Sequence, residues 1–127
     1  MRNMLLGIKR IYEKNSITDG KRILVDRLWP RGVRKDSALI DEWIKDVAPS
    51  DKLRKWFGHN PKRWREFKRR YIKELKNNPA FKKLLKEAQE SDITLIYSAK
   101  DEKHNNAVVL AELIKRQESK KNIKINK

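Results

Sequence analysis

The sequence predicts an α/β fold: a single small domain whose mainly parallel sheet has three strands, with a fourth available, flanked by about five helices. Three observations carry this expectation. Short β-rich runs (Leu5–Tyr12, Lys21–Trp29, Asp92–Ser98) are set among longer stretches whose apolar residues recur every three or four positions. Helical stretches separate the second run from the third, which calls for a crossover and parallel pairing. No internal repeat and no Pro/Gly/Ser-rich linker divides the 127 residues. The domain is therefore expected over 1–117, followed by a polar, Lys-rich tail at 118–127.

The first strand mixes apolar and basic residues. The connector Asn15-Ser16-Ile17-Thr18-Asp19-Gly20 has turn chemistry. It is too short for an ordinary helical crossover, which favours a hairpin and leaves the orientation of strand one open. In the second strand, Ile23-Leu24-Val25 reads as buried on both faces. Asp36 or Ser37 then caps a helix with apolar positions at Leu39/Ile40, Trp43/Ile44 and Val47, stopped by Pro49. Ser50 caps a short helix over Asp51–Phe57, ended by Gly58. Asn60-Pro61 opens what reads as the longest helix, with a stripe of Trp64, Phe67, Tyr71 and Leu75. Asn77-Asn78-Pro79 ends it, and Phe81, Leu84, Leu85 and Ala88 mark another helix to about Glu90. The third strand is Ile93-Thr94-Leu95-Ile96-Tyr97, and a last helix runs from Asn105 to Gln117. Asn122-Ile123-Lys124-Ile125 either adds an edge strand or frays.

Composition narrows the function classes. No apolar run approaches the roughly 18 residues of a membrane span, and the opening Met1–Gly7 is too short in apolar residues for a signal peptide. With no cysteine there is no disulfide, thiolate nucleophile or Cys-ligated metal. A cytoplasmic protein is expected, without a cofactor; the chain itself fixes no oligomeric state. The net charge of +16, from 33 basic and 17 acidic residues, favours a nucleic acid or a phosphorylated small molecule as partner. A Lys-rich composition also arises from an A/T-rich genome or a hot habitat, although Glu has not kept pace here.

Three constellations are candidates for chemistry. The first joins the exits of strands two and three. There Asp26, Arg27, Trp29 and Arg31 face Tyr97, Ser98, Lys100 and Asp101, and His104, Asn105 and Asn106 open the last helix. Carboxyl ends of parallel strands are where α/β folds bind ligands, Arg suits bidentate oxyanion recognition, and a helix amino end favours an anion. The bland alternative is that Asp26 and Arg27 pair with each other and Asn105 merely caps. The second is Trp56, Phe57 and His59, which either stack on a ring or plug the core. His59 and His104 are the only histidines, so no metal site is expected. The third is a basic helical face, Arg63, Arg65, Lys68, Arg69, Arg70 and Lys73, which either tracks a phosphate backbone or is simply solvated.

Leu24-Val25-Asp26-Arg27-Leu28-Trp29-Pro30-Arg31-Gly32, Trp56-Phe57-Gly58-His59-Asn60-Pro61 and Tyr97-Ser98-Ala99-Lys100-Asp101 with His104-Asn105-Asn106-Ala107 occur in that order. In these motifs the chain resembles the YeaO-like branch of domain-of-unknown-function family 488, from about Leu6 to Ile114. The resemblance implies a small α/β domain and leans toward parallel pairing of the first two strands, against the hairpin. It implies no particular reaction. Distant members carry Cys at the end of the third strand and Cys-His-Arg opening the final helix. Tyr97 and Asn105-Asn106-Ala107 stand there in this chain, so thiol chemistry does not carry over; Asp26, Lys100-Asp101 and His104 remain shared in kind.

Two functions compete on these grounds. One is a module that binds an anionic ligand at the strand exits. The other is a small enzyme on a phosphorylated or nucleotide-like substrate. In it Asp26 is general acid/base, Arg27, Arg31 and Lys100 hold the anion, and Tyr97 or Asp101 assists proton transfer. A third reading, partner binding through Trp56, Phe57 or Trp43, requires those rings to be exposed.

Overall fold

The computed structural model describes residues 4–125, with side chains to Glu118. Four strands, β1 (Leu6–Arg10), β2 (Lys21–Leu24), β3 (Glu42–Trp43) and β4 (Ile93–Tyr97), form one sheet in the order β1-β4-β2-β3. Every pairing is parallel. The helices are α1 (Lys35–Ala38), α2 (Asp51–Phe57), α3 (Trp64–Leu75), α4 (Pro79–Glu90) and α5 (Asn106–Ile125), with 3₁₀ turns at Ile17–Asp19, Lys45–Val47 and Pro61–Arg63. The predicted single α/β domain with a parallel sheet and five helices is therefore observed. Among the described residues, no helix is long and apolar enough to cross a membrane.

The strand order follows from β4, the third strand of the sequence reading. All five of its residues are buried. Ile93, Leu95 and Tyr97 join the larger core beneath α2 to α5, whereas Ile96 joins Ile11 and Leu24 on the opposite face. Such a strand is stable only at the centre of a sheet covered on both sides. It pairs with β1 from Leu6↔Ile93 to Arg10↔Tyr97 and with β2 from Lys21↔Ile93 to Leu24↔Ile96.

The favoured hairpin of the first two strands does not form. β1 and β2 are parallel and β4 lies between them. The connector, residues 11–20, must run back along a short strand and across two strand spacings, roughly 20 Å in all. About ten extended residues span up to roughly 33 Å, so no helix is needed.

The connector is locked by charge. Asp19 is buried and accepts from Lys9 Nζ at 2.8 Å and Arg22 Nη1 at 2.7 Å. Arg22 also donates to the carbonyls of Leu39 and Ala38, and Thr94 Oγ1 donates to the Asp19 carbonyl at 2.6 Å. Burial opposes ionisation of Asp19, yet hydrogen bonds from Lys9, the Ser16 N–H and Arg22 outweigh it and hold the carboxyl at about 2.

Three further expectations change. The helix predicted from an Asp36 or Ser37 cap to Pro49 is only α1, because Leu39 takes a left-handed conformation (φ 54°) and ends it. The apparent stripe belongs to two faces of the sheet: Ile40 and Trp43 pack on the smaller core, Ile44 and Val47 on the larger. The fourth strand is thus Glu42–Trp43, not Asn122–Ile125, which continues α5. That continuation makes α5, at 20 residues, longer than the 12-residue α3. Its second half lacks Gly and Pro and is rich in Lys, Glu and Gln, all good helix formers.

The local signals at α2, α3 and α4 hold. Ser50 Oγ accepts from the Leu53 N–H and left-handed Gly58 closes α2. Asn60 and Asn78 cap the starts at Pro61 and Pro79.

Two stability outcomes follow. Gly20 has φ +64°, and an added Cβ would lie 2.4 Å from the Asp92 carbonyl oxygen, whereas a Cβ at Gly32 (φ +73°) would meet nothing within 4 Å. In urea denaturation, Gly20→Ala costs about 3 kcal/mol or more, and Gly32→Ala about 1 kcal/mol. Asp19→Ala leaves Arg22 buried without its counter-charge and costs about 3–5 kcal/mol at pH 7. Because the folded carboxyl titrates near 2 against an ordinary 3.8, its contribution is complete above 3.8 and is lost as pH falls through about 2. The gap between Asp19→Ala and the parent therefore narrows over that interval.

Candidate functional site

Asp26 directly follows β2's buried run, and Ser98 directly follows β4, so parallel neighbours deliver both to one end of the sheet. The Ser98 N–H and Oγ both donate to Asp26 Oδ2, at 3.0 and 2.8 Å. The backbone here is held from three sides. Trp43 Nε1 donates to the Asp26 carbonyl at 2.7 Å, and Asn106 Nδ2 to the Val25 carbonyl at 2.9 Å. From β1, Arg10 donates to the carbonyls of Ala99 and Ser98.

These exits border a cleft of about 580 Å³. Phe57 and Phe67, stacked at 4.2 Å between centroids, form its aromatic wall. Arg27, Arg54, Lys100 and His59 supply its basic side chains. His59 (φ 55°) follows Gly58 (φ 53°), so two consecutive left-handed residues swing the chain from α2 and leave His59 exposed at the rim. Such a conformation costs a non-glycine residue about 1 kcal/mol, and strain of this kind gathers at functional sites.

The acids differ in environment. Burial pushes the Asp26 carboxyl up; the Ser98 hydroxyl and N–H, Asn106 and the nearby His59 pull it back without cancelling the rise. Asp101 is drawn down, first by the His104 ring at 2.8 Å from its Oδ2 and then by the Lys103 and His104 N–H groups on Oδ1. The His104 ring meets Trp64 edge-on at 5.2 Å. Asn105 is buried; its Nδ2 donates to the Asp101 carbonyl and its Oδ1 caps α5 through the Val108 N–H. Arg27 Nη2 reaches the carbonyls of Ala48 and Pro49, while its buried Nε has no hydrogen-bond partner. No group of three or more His, Asp or Glu among the described residues is placed to hold a metal ion.

The cleft thus gathers Asp26, Arg27, Ser98, Lys100, Asp101, His104, Asn105 and Asn106, together with Phe57 and His59. It does not gather Trp29, Arg31 or Tyr97. Trp29 packs edge-on to Trp43 in the smaller core and donates to the Val33 carbonyl. Arg31 is exposed elsewhere, and Tyr97 is buried in the larger core. Trp56 is half-buried and covered by Arg63 and Arg70, whose guanidinium carbons lie 5.3 and 4.3 Å from its ring centroid. Phe57 is buried and Trp43 half-buried, so the rings required for partner docking are not presented. On α3, Glu66 binds both Arg69 and Arg70, and Lys68 reaches Glu112 on α5.

Sequence reasoning missed Arg54, Phe67 and Pro49 in the cleft and Arg10 behind it. Arg54 and Phe67 arrive through the packing of α2 on α3, which no local motif records.

A family described as "Inactive DUF488-N3 subclade" has a sequence model that matches residues 5–126. This chain belongs to that family. It is 41% identical over 113 residues to "Uncharacterized protein YeaO" of Escherichia coli (strain K12), covering 88% of this chain and 98% of that one. It is also 40% identical over 114 residues to "Uncharacterized protein Rv3073c" of Mycobacterium tuberculosis (strain ATCC 25618 / H37Rv), covering 90% and 97%. No solved structure matches. Parts of the three motifs line the cleft: Asp26 to Leu28, Phe57 with His59, and Ser98 to Asp101 with His104 to Asn106.

Asp26 in this DUF488 domain yields a signed outcome. Its folded carboxyl sits above the ordinary 3.8, so the folded state binds the proton more tightly and ionisation costs stability above that folded value. Asp26→Asn removes this cost while keeping an oxygen for Ser98. Thermal unfolding should place Asp26→Asn above the parent at pH 7, with the difference disappearing as the pH falls to about 3.8.

Proposed function

We propose that this DUF488 domain binds a small phosphate-bearing anion in the cleft at the carboxyl ends of β2 and β4. One observation carries the reading: Arg27 after β2, Arg54 on α2 and Lys100 after β4 come from separate segments and line the same concave space. The amino end of α5 enters there through Asn106, adding the positive end of a helix dipole. A cleft of about 580 Å³ suits a small molecule rather than a duplex.

The same reasoning disfavours the basic face of α3 as a nucleic-acid track. Arg63, Lys68, Arg69 and Arg70 are engaged with Trp56, Glu112 or Glu66. Of the six candidates, only Arg65 and Lys73 have no side-chain partner among the described residues. A phosphate backbone would have to compete with these contacts, whereas in the cleft Arg27 and Arg54 share only the exposed Asp51, at 3.9 and 3.4 Å, and Lys100 has no ion pair among the described residues.

Catalysis is the second reading, favoured by a half-buried Asp26 with a raised pKa and a paired Asp101–His104 in one cleft. The family's own description, inactive, supports binding without turnover.

Isothermal titration with inorganic phosphate tests the proposal. Saturable binding is expected, weakened about tenfold by Lys100→Ala or Arg54→Ala, since a charge-assisted hydrogen bond is worth about 1.5–3 kcal/mol. Arg65→Ala with Lys73→Ala leaves it unchanged. Absence of binding, or binding indifferent to both cleft variants, refutes the site; a duplex DNA shift abolished by the α3 variants would return the function to that helix.

A further inference from the structure

A carboxylate among cations repels the oxygens of a fully ionised phosphate and competes for the same cations. Asp26 nevertheless lies among the cations of the cleft and, among the described residues, has no ion pair within 4.0 Å; Arg27 pairs with Asp51 instead. Its hydrogen bonds are of another kind. The Ser98 N–H and Oγ converge on a single oxygen, Oδ2, and the neutral Asn106 amide also favours the carboxylate. Arg27, the nearest cation in sequence, is turned to the Ala48 and Pro49 carbonyls.

Building on the anion reading, we propose that the ligand is a phosphate ester that also carries a free hydroxyl, with Lys100 and Arg54 holding the phosphate and the Asp26 carboxylate accepting the hydroxyl proton in a hydrogen bond. An acceptor-only carboxylate answers a donor, and a ligand hydroxyl is a donor that brings no charge of its own. The wall of Phe57 and Phe67 would take the carbon skeleton between the two ends. Desolvation accords with this: partial burial already works against the Asp26 charge, and a hydroxyl donated to it offsets that cost.

A matched pair of probes separates the parts of this claim. Glycerol 3-phosphate and n-propyl phosphate have the same carbon chain and the same phosphate, and differ in hydroxyls. Followed by ¹H–¹⁵N NMR titration, the protein is expected to bind glycerol 3-phosphate about tenfold more tightly, the worth of one hydrogen bond to a charged group. Asp26→Ala brings the ratio to about one and leaves n-propyl phosphate bound at least as tightly. Asp26→Asn, which still offers Ser98 an oxygen, secures the comparison should the alanine variant fail to fold, and it gives the same collapse. Equal affinities in the parent, or a preference that survives both variants, overturn the hydroxyl assignment while the anion reading stands. Failure of both probes and of inorganic phosphate to bind removes the two together.

Discussion

Five consecutive residues, Ile93–Tyr97, are shielded from water on both faces of the sheet, and the rest of the molecule is arranged around that requirement. A strand of this kind needs a neighbour along each edge and a layer over each face. β1 and β2 supply the edges and the α2–α5 layer supplies one face. The other face is closed by the segment from Trp29 to Trp43, which would otherwise read as a loop and a helix. Thr94, in the middle of the strand, donates its hydroxyl to the carbonyl of Asp19, so the connector that crosses over β4 is hydrogen-bonded to it. Once β2 is fixed beside β4, Asp26 and Ser98 have no choice but to meet. The cleft is a by-product of strand order.

The charge balance has a similar logic. The acids present are largely structural. Asp19 holds Lys9 and Arg22, and Glu66 holds two arginines of α3. Glu42 joins β3 to Lys21 and Lys83. Burial opposes the Glu42 charge, but contact with the Glu87 carboxyl and with both lysines keeps it at about 2. Glu87, buried beside it, is pushed up. Lys21 between them rises to about 12. The net +16 is the remainder after such pairings, and as a total it says little. What distinguishes one region is convergence: unlike segments place cations around one concavity.

How much of this was legible in the chain depended on how local each signal was. α2 and α4 could be read because Ser50, Gly58, Asn78 and Pro79 act within a turn of themselves. The segment 39–47 could not, because its three- and four-residue spacing is shared between two cores and only the finished sheet separates them. Of the neighbours of β4, β2 was expected from the helical crossover between them, whereas β1 was hidden: burial on both faces is written in Ile93–Tyr97, but the identity of the second adjacent strand is not. At the site, Asp26, Ser98, Asp101 and His104 were accessible to reasoning since each closely follows a recognisable strand. Trp56 was ambiguous as a stacking platform, and the structure gives its ring to Arg63 and Arg70 instead. No local motif marks Arg54, and only the docking of α2 brings it to the cleft.

One small element has a protective effect. β3 ends the sheet with two residues, Glu42 and Trp43, and the chain turns at once into the Lys45–Val47 3₁₀ turn. An outer border this brief leaves almost no row of free peptide groups for a foreign segment to zip onto. Near it, Glu42 is clamped by two lysine ammonium groups, which discourages close approach of another strongly basic copy. On this side the sheet resists growth into fibrils.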